Sequence, residues 1–179
     1  MKETLRLGVI LLIITVVSAG VLAASNNATK DKIAELKLAG SAAALEEVFG
    51  DGYEFESLDE AETTALAGEE EIVTEIIEAK KSDSVEGYAI KTATSGYGGD
   101  VIVLTAVTEG EIVGVRVLEH EETKGIGSKA TEPEYVELFE GQSTDQAATE
   151  AVTGATVTST AVLQGINEAL DLYNTELAN

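Results

Sequence analysis

Val101-Ile102-Val103-Leu104-Thr105-Ala106-Val107 and Ile112-Val113-Gly114-Val115-Arg116-Val117-Leu118, joined by Thr108-Glu109-Gly110-Glu111, decide the fold of this chain. The first run is short and almost continuously apolar. The second alternates, which places Val113, Val115 and Val117 on one face. Glu109-Gly110 supplies the hairpin turn between them. Upstream, residues 87–92 read as a further strand, entered from a turn at Ser82-Asp83-Ser84. Ile72 to Ala79 is ambiguous: Ile72, Ile76 and Ile77 are spaced for a helix, whereas Val73, Thr74 and the β-branched content favour a strand, which is the expectation. Residues 53–70 look irregular and acidic. Downstream, the chain leaves the sheet at His120 and enters a Gly125-Ile126-Gly127 loop. Pro133 suits the first position of a short amphipathic helix running from Glu134 to Phe139. Residues 141–149 form a polar connector. There is no internal repeat and no low-complexity tract. The expected architecture is one α+β domain, a twisted and largely antiparallel sheet carrying helices.

The other end of the chain has a different composition. Leu7 to Ala24 is apolar, broken only by Thr15, Ser18 and small residues. At 1.5 Å per residue it reaches roughly 27 Å, and with Leu5 and Arg6 at its edge it spans a bilayer core of about 30 Å. Lys2 and Arg6 precede it, so the positive-inside rule leaves the N-terminus in the cytoplasm and exports everything after Ala24. A cleaved signal peptide ending near Val21-Leu22-Ala23 is the rival reading, although its apolar region would be unusually long. Asn27 to Phe49 is rich in Ala, Leu, Lys and Glu and reads as helix, with Ile33, Leu36, Leu45 and Val48 as its apolar positions. Gly50-Asp51-Gly52 ends it through left-handed turn chemistry. The expected organisation is an anchor over 1–25, a helical connector over 26–50 and an extracytoplasmic domain over 51–179.

The formal net charge of −22 lies almost wholly in the exported part. Such a surface repels nucleic-acid phosphates, so nucleic acid is excluded as a partner. Excess acidity is more often a solubility feature than a site, but Glu69-Glu70-Glu71 and Glu119-Glu121-Glu122 are clusters able to shape docking. The chain has no cysteine and one histidine. That composition supplies no thiolate ligands for a metal or an iron–sulfur cluster, and no multi-histidine site. Redox chemistry here would come from an organic cofactor.

One stretch is chemically distinctive. Thr153-Gly154-Ala155-Thr156-Val157-Thr158-Ser159 is almost entirely small or hydroxylated, and apolar periodicity starts directly after it. Ser159 or Thr160 is placed to cap a helix burying Val162, Leu163, Ile166, Leu170 and Tyr173. The start of such a helix presents free N–H groups and the positive end of the helix dipole, which suits a phosphate. Gly154 and Ala155 would let that phosphate approach the backbone. A Ser/Thr-rich turn ahead of an ordinary capped helix satisfies the same pattern.

The segment 153–159 resembles the flavinylation motif of extracytoplasmic FMN-binding domains. That resemblance implies FMN joined by a phosphoester to Thr156, with Glu150 standing where the family usually has an aspartate six residues earlier. His120-Glu121-Glu122-Thr123-Lys124-Gly125-Ile126-Gly127 resembles a second segment of the same family, with Lys124 in place of a usual proline and Ile126 for leucine. Gly96-Tyr97-Gly98-Gly99 is similar to its Gly-Tyr-Gly-Gly turn. The order and spacing of all three resemble the G subunits of Rnf-type ion-translocating ferredoxin:NAD oxidoreductases. The C subunit of the sodium-pumping NADH:quinone reductase is a more distant likeness.

The resemblance implies a membrane-anchored electron carrier with one covalent FMN. Its partners would be the other membrane subunits of such a complex and a flavin transferase for maturation. A threonine hydroxyl is a poor nucleophile without an adjacent base, and no activating arrangement is visible beside Thr156, so self-attachment is not expected. Thr153 and Thr158 are candidate donors to the phosphate. Gly125 and Gly127 would let a loop approach the ring, with Ile126 as an apolar wall, and Glu122 and Thr123 would bond ring or ribityl atoms. Plain turn and loop-cap roles fit Gly125, Gly127, Glu122 and Thr123 as well. Tyr97 and Tyr135 suit stacking on a flavin or packing in a core, and His120 suits a surface position. No dinucleotide fingerprint or cluster ligands are present, so NAD and ferredoxin would bind elsewhere in the assembly. A single apolar helix without embedded ionisable residues offers no ion path. The expected role is therefore that of one component in a larger complex rather than an enzyme alone. The competing readings are a covalent-FMN domain of another extracytoplasmic reductase and a cofactor-free, membrane-anchored binding module.

Overall fold

The β-hairpin at 101–118 forms one side of the sheet in this structure, a computed structural model that describes residues 2–68, 72–82 and 84–178. Its arms are β4 (Asp100–Thr108) and β5 (Glu111–Glu119). Glu109 and Gly110 both take positive φ, 51° and 80°, as a two-residue turn matched to strand twist requires. Three more strands continue the sheet: β1 (Glu54–Ser57), β2 (Val73–Lys81) and β3 (Ser84–Ser95). Their order is β1-β2-β3-β4-β5, and every neighbouring pair is antiparallel. The sheet is thus wholly antiparallel, and the ambiguous segment beginning at Ile72 is a strand.

Helix α1 covers Lys2–Phe49. The side chains of residues 2–5, 24 and 26–40 are not among those described, so the expected roles of Ile33 and Leu36 lie outside the described residues. The chain divides into two compact units, residues 1–41 and 42–179. In the first, Arg6–Ala23 is a stretch long and apolar enough to cross a membrane, and none of it is buried. The second holds the sheet. Gly50 and Gly52 follow α1 with φ of 80° and 93°, and the Gly50 N–H closes on Glu46 O at 2.9 Å.

Two corrections concern the sheet and its surroundings. Residues 53–70 are not irregular: they contain β1 and a short helix, α2 (Glu60–Ala67). The helix is started by a capping box, in which Asp59 Oδ1 accepts from Glu62 N–H at 2.8 Å and Asp59 N–H donates to Glu62 Oε2 at 3.3 Å. Asp-x-x-Glu is a legible start signal, masked in this stretch by the general acidity. Glu69-Glu70-Glu71 and Asp83 lie outside the described residues.

The second correction is in β5. Val107 pairs with Ile112 while Ala106 pairs with Gly114, so Val113 is an extra residue in the ladder. Such a bulge reverses the alternation beyond it. Ile112, Val115 and Val117 therefore face one core, and Val113 faces the other. The expected grouping of Val113 with Val115 and Val117 fails for that reason.

Helix α4 (Thr156–Leu172) lies on the first face, burying Val162, Ile166 and Leu170 against Ile76, Ile90, Val101, Val103 and Val115. Close approach needs Gly165: a Cβ there would sit 2.6 Å from Thr92 Oγ1. The Thr94 hydroxyl donates to Ala161 O at 2.8 Å and ties the early part of α4 to β3. A short helix, α3 (Pro133–Val136), begins on Pro133 and continues as a 3-10 turn through Phe139, whose ring is fully buried in the same core. On the opposite face, Ala44 and Leu45 of α1 pack with Ile77, Ala89, Leu104 and Ala106. Gly114 makes room there for Val48.

Candidate functional site

The start of α4 differs from expectation in an informative way. Neither Ser159 nor Thr160 caps it. The helix begins at Thr156, with Ala155 in the N-cap position and no side-chain cap bond. Ser159 lies inside the first turn, fully buried, its hydroxyl bonded back to Thr156 O at 3.2 Å. The hydroxylated motif thus forms the first turn itself, and alanine at the cap leaves that turn's N–H groups without a side-chain acceptor. Gly154, at φ 87°, turns the chain into it.

This uncapped turn opens on a cavity of about 530 Å³, within the usual size range for small-molecule sites. Thr156, Val157 and Thr158 line it together with Gly154 and Ala155. The facing wall is Glu122, Thr123, Ile126 and Gly127 from the loop after β5, with Tyr97 from the β3–β4 turn. The segment singled out on residue chemistry, 153–159, and the two singled out by family resemblance, 96–99 and 120–127, therefore meet at one place. Tyr97, Ile126 and Val157 are 77%, 59% and 53% exposed. They give the mouth an apolar rim.

Thr153 and Gly125 are outside the lining. Thr153 is exposed. Gly125 shapes the loop, with φ 77° and its N–H donating to Ser128 Oγ at 2.9 Å. Tyr135 is a core residue, edge-on to Phe139, its hydroxyl donating to Glu150 O at 2.5 Å. His120 is exposed, and its Nδ1 accepts from the Glu122 N–H at 3.2 Å. Sequence reasoning misses Val157, whose apolar side chain among hydroxyls is the available signal. For Tyr97, residue type alone does not separate a ring on the cavity from one in a core.

Glu122 is the charged group in the wall, and it is 8% exposed. Its Oε1 accepts from Tyr97 N–H at 2.8 Å and Gly98 N–H at 3.1 Å. Burial pushes its carboxyl up. The Gly98 N–H, the Thr158 hydroxyl, the Tyr97 N–H and the nearby His120 outweigh that and hold it below the ordinary glutamate value. Thr158 nonetheless falls short of a well-formed hydrogen bond, so Oε2 is left without a partner. A buried acceptor without a partner suits a donor arriving with a ligand.

The cavity joins an uncapped helix start, a glycine-flanked loop and an apolar rim, and residues 96–171, which supply all of its lining, match the model of the FMN-binding domain family. Residues 1–48 match the RnfG N-terminal region. The G subunit of the Na(+)-translocating ferredoxin:NAD(+) oxidoreductase complex of Acetobacterium woodii is 33% identical, across 96% of this chain and 92% of that protein. The G subunit of the ion-translocating oxidoreductase complex of Cereibacter sphaeroides is 30% identical, across 93% of this chain and 83% of its own. The chain belongs to the family of G subunits of ion-translocating oxidoreductase complexes. Among solved structures, the C subunit of the Na(+)-translocating NADH-quinone reductase of Parabacteroides distasonis superposes with a TM-score of 0.49 at 17% identity, over 59% of this chain and 63% of that one.

Proposed function

We propose that this chain is the electron-carrier subunit of an ion-translocating ferredoxin:NAD oxidoreductase complex and holds one FMN through a phosphoester to Thr156. The observation that carries the proposal is the uncapped first turn of α4, with Thr156 at its first helical position on the cavity wall. Free N–H groups and the helix dipole favour a phosphate at that point. Gly154 lets it come close, and Thr158 stands beside it. Ala155, Val157, Ile126 and Tyr97 suit an apolar ring system, and Glu122 Oε2 and Thr123 suit its polar edge or the ribityl chain. Gly125 shapes the loop behind Ile126, and Thr153, exposed and outside the lining, flanks the motif on its N-terminal side.

The bound flavin would supply one- and two-electron transfer, while the protein supplies position and electrostatics. Among the described residues no side chain is hydrogen-bonded to the Thr156 hydroxyl as a base would be, which favours attachment by a separate flavin transferase. A covalent link keeps the cofactor at high effective concentration in a compartment where free FMN would be diluted away. In this reading Arg6–Ala23 is a retained single-pass anchor, the N-terminus is cytoplasmic and the sheet domain is extracytoplasmic. The other membrane subunits of the complex are its electron donor and acceptor.

The test is expression with and without a flavin transferase, followed by ultraviolet illumination of a denaturing gel and intact-mass measurement. The fluorescent band should appear only with the transferase. Thr156→Ala should abolish the FMN adduct, whereas Thr158→Ala and Thr153→Ala should keep at least part of it. An adduct surviving in Thr156→Ala refutes the attachment site.

A further inference from the structure

Two loops from different parts of the chain meet on one carboxylate. The Gly96–Gly99 turn is closed by Gly96 N–H on Gly99 O at 2.8 Å, and it touches the 120–127 loop through Glu122. Three glycines surround the contact. A Cβ on Gly96 would overlap Glu122 Oε1, one on Gly127 would overlap Oε2, and one on Gly98 would overlap Glu121 O and lie 3.2 Å from Glu122 Cα. Glycine at 96 and 127 is thus a condition for seating this side chain, and glycine at 98 for the close approach of the two backbones. Burying an ionised carboxylate is costly. Two charge-assisted bonds from backbone N–H groups offset the cost.

The two oxygens are used differently. Oε1 is saturated by the Tyr97 and Gly98 N–H groups, whereas Oε2 faces Gly127 and Thr158. Tyr97 is the consequence. Its ring is largely exposed, and its backbone lies between glycines that restrain it little. Its N–H donates to Glu122 Oε1 at 2.8 Å, which ties its backbone to the loop on the cavity wall.

We propose that Glu122 is a positioning residue which clamps the Gly96–Gly99 turn and so sets Tyr97 as the aromatic wall of the flavin cavity. This rests on the FMN reading above. The clamp depends on the length of the side chain, and its charge is a separate property. Glutamine keeps the reach and one acceptor oxygen. Aspartate keeps the charge and is one methylene too short.

The test uses the full chain, purified in detergent. Amide hydrogen exchange at Tyr97 and Gly98 comes first, because it needs no cofactor. Both amides should be protected in wild type and in Glu122→Gln, and should lose protection in Glu122→Asp. Flavin fluorescence of the FMN-loaded chain comes second, since a phenol ring in contact with a flavin quenches its emission. Tyr97→Leu should raise emission several-fold, Glu122→Asp should raise it similarly, and Glu122→Gln should stay near wild type. A midpoint potential that rises in Glu122→Gln with quenching retained would separate the charge from the clamp. Equal protection of both amides in Glu122→Asp and wild type overturns the clamp. Unchanged emission in Tyr97→Leu overturns the placement of the ring. A wild-type chain that never acquires FMN sinks the cofactor reading instead, and the exchange result still decides the clamp.

Discussion

Three threonines are buried on the α4 side of the sheet, and their hydroxyls fare differently. Thr94 donates to Ala161 O at 2.8 Å. Thr92 reaches Val103 O at 3.4 Å. Thr105, fully buried between Ile90 and Val115 in the ladder, has no partner. Replacing Thr105 by valine keeps the shape and removes a stranded hydroxyl, a penalty of about 1–3 kcal/mol. Thr105→Val should therefore stabilise the protein by about 1–2 kcal/mol after imperfect repacking. Thr94→Val is the same chemical change with the opposite expectation. It discards a good hydrogen bond, and the loss should be about 0.5–1.5 kcal/mol. At roughly 3–5 °C per kcal/mol for a domain of this size, one variant should melt several degrees above wild type and the other a few degrees below. Thermal unfolding followed by circular dichroism on the detergent-solubilised chain reads both. A lower melting temperature for Thr105→Val, or shifts of the same sign in both variants, would refute the reasoning.

Two other expectations are independent of the cofactor. A Cβ on Gly114 would sit 2.6 and 2.7 Å from the Val48 methyls, so Gly114→Ala should cost about 1–3 kcal/mol by overpacking, and adding Val48→Ala should recover part of the lost melting temperature. Burial first, and then Glu150, push the Tyr135 phenol up to about 12. A raised folded-state pKa gives a contribution that is complete below the unfolded value of about 10 and is lost as pH rises towards 12. Melting temperatures measured from neutral to alkaline pH should fall through that window, and the fall should be smaller in Tyr135→Phe.

The strands are legible in the sequence where apolar pattern and turn chemistry agree. Glu109-Gly110 marks the hairpin correctly because both residues adopt the positive φ that the turn demands. The bulge at Val113 is not legible, since alternation in sequence carries no record of an inserted residue in the ladder. The acidic segment before β2 hides a helix because its density of charge masks the Asp59–Glu62 spacing. The start of α4 escapes residue type for a physical reason. A serine among threonines is the expected cap, whereas this helix leaves an alanine there and buries Ser159. The helix-start segment is identifiable by residue type and the two glycine loops by family resemblance, which also implies that the 120–127 loop and the helix start share one cofactor, whereas the place of Glu122 between the loops emerges only from distances.

The strand order has a consequence for how the chain is made. Each strand pairs with the one before it in sequence, so the sheet can grow by successive hairpins as the polypeptide emerges, without waiting for distant partners. The cavity cannot. One wall comes from the turn and loop that flank β4 and β5, and the other from the first turn of the last long helix. Synthesis thus completes the scaffold early and the site last. A product stalled before α4 would contain the five strands without the helix that covers one of their faces, and under the function proposed above it would also lack Thr156, so flavinylation would follow synthesis of α4.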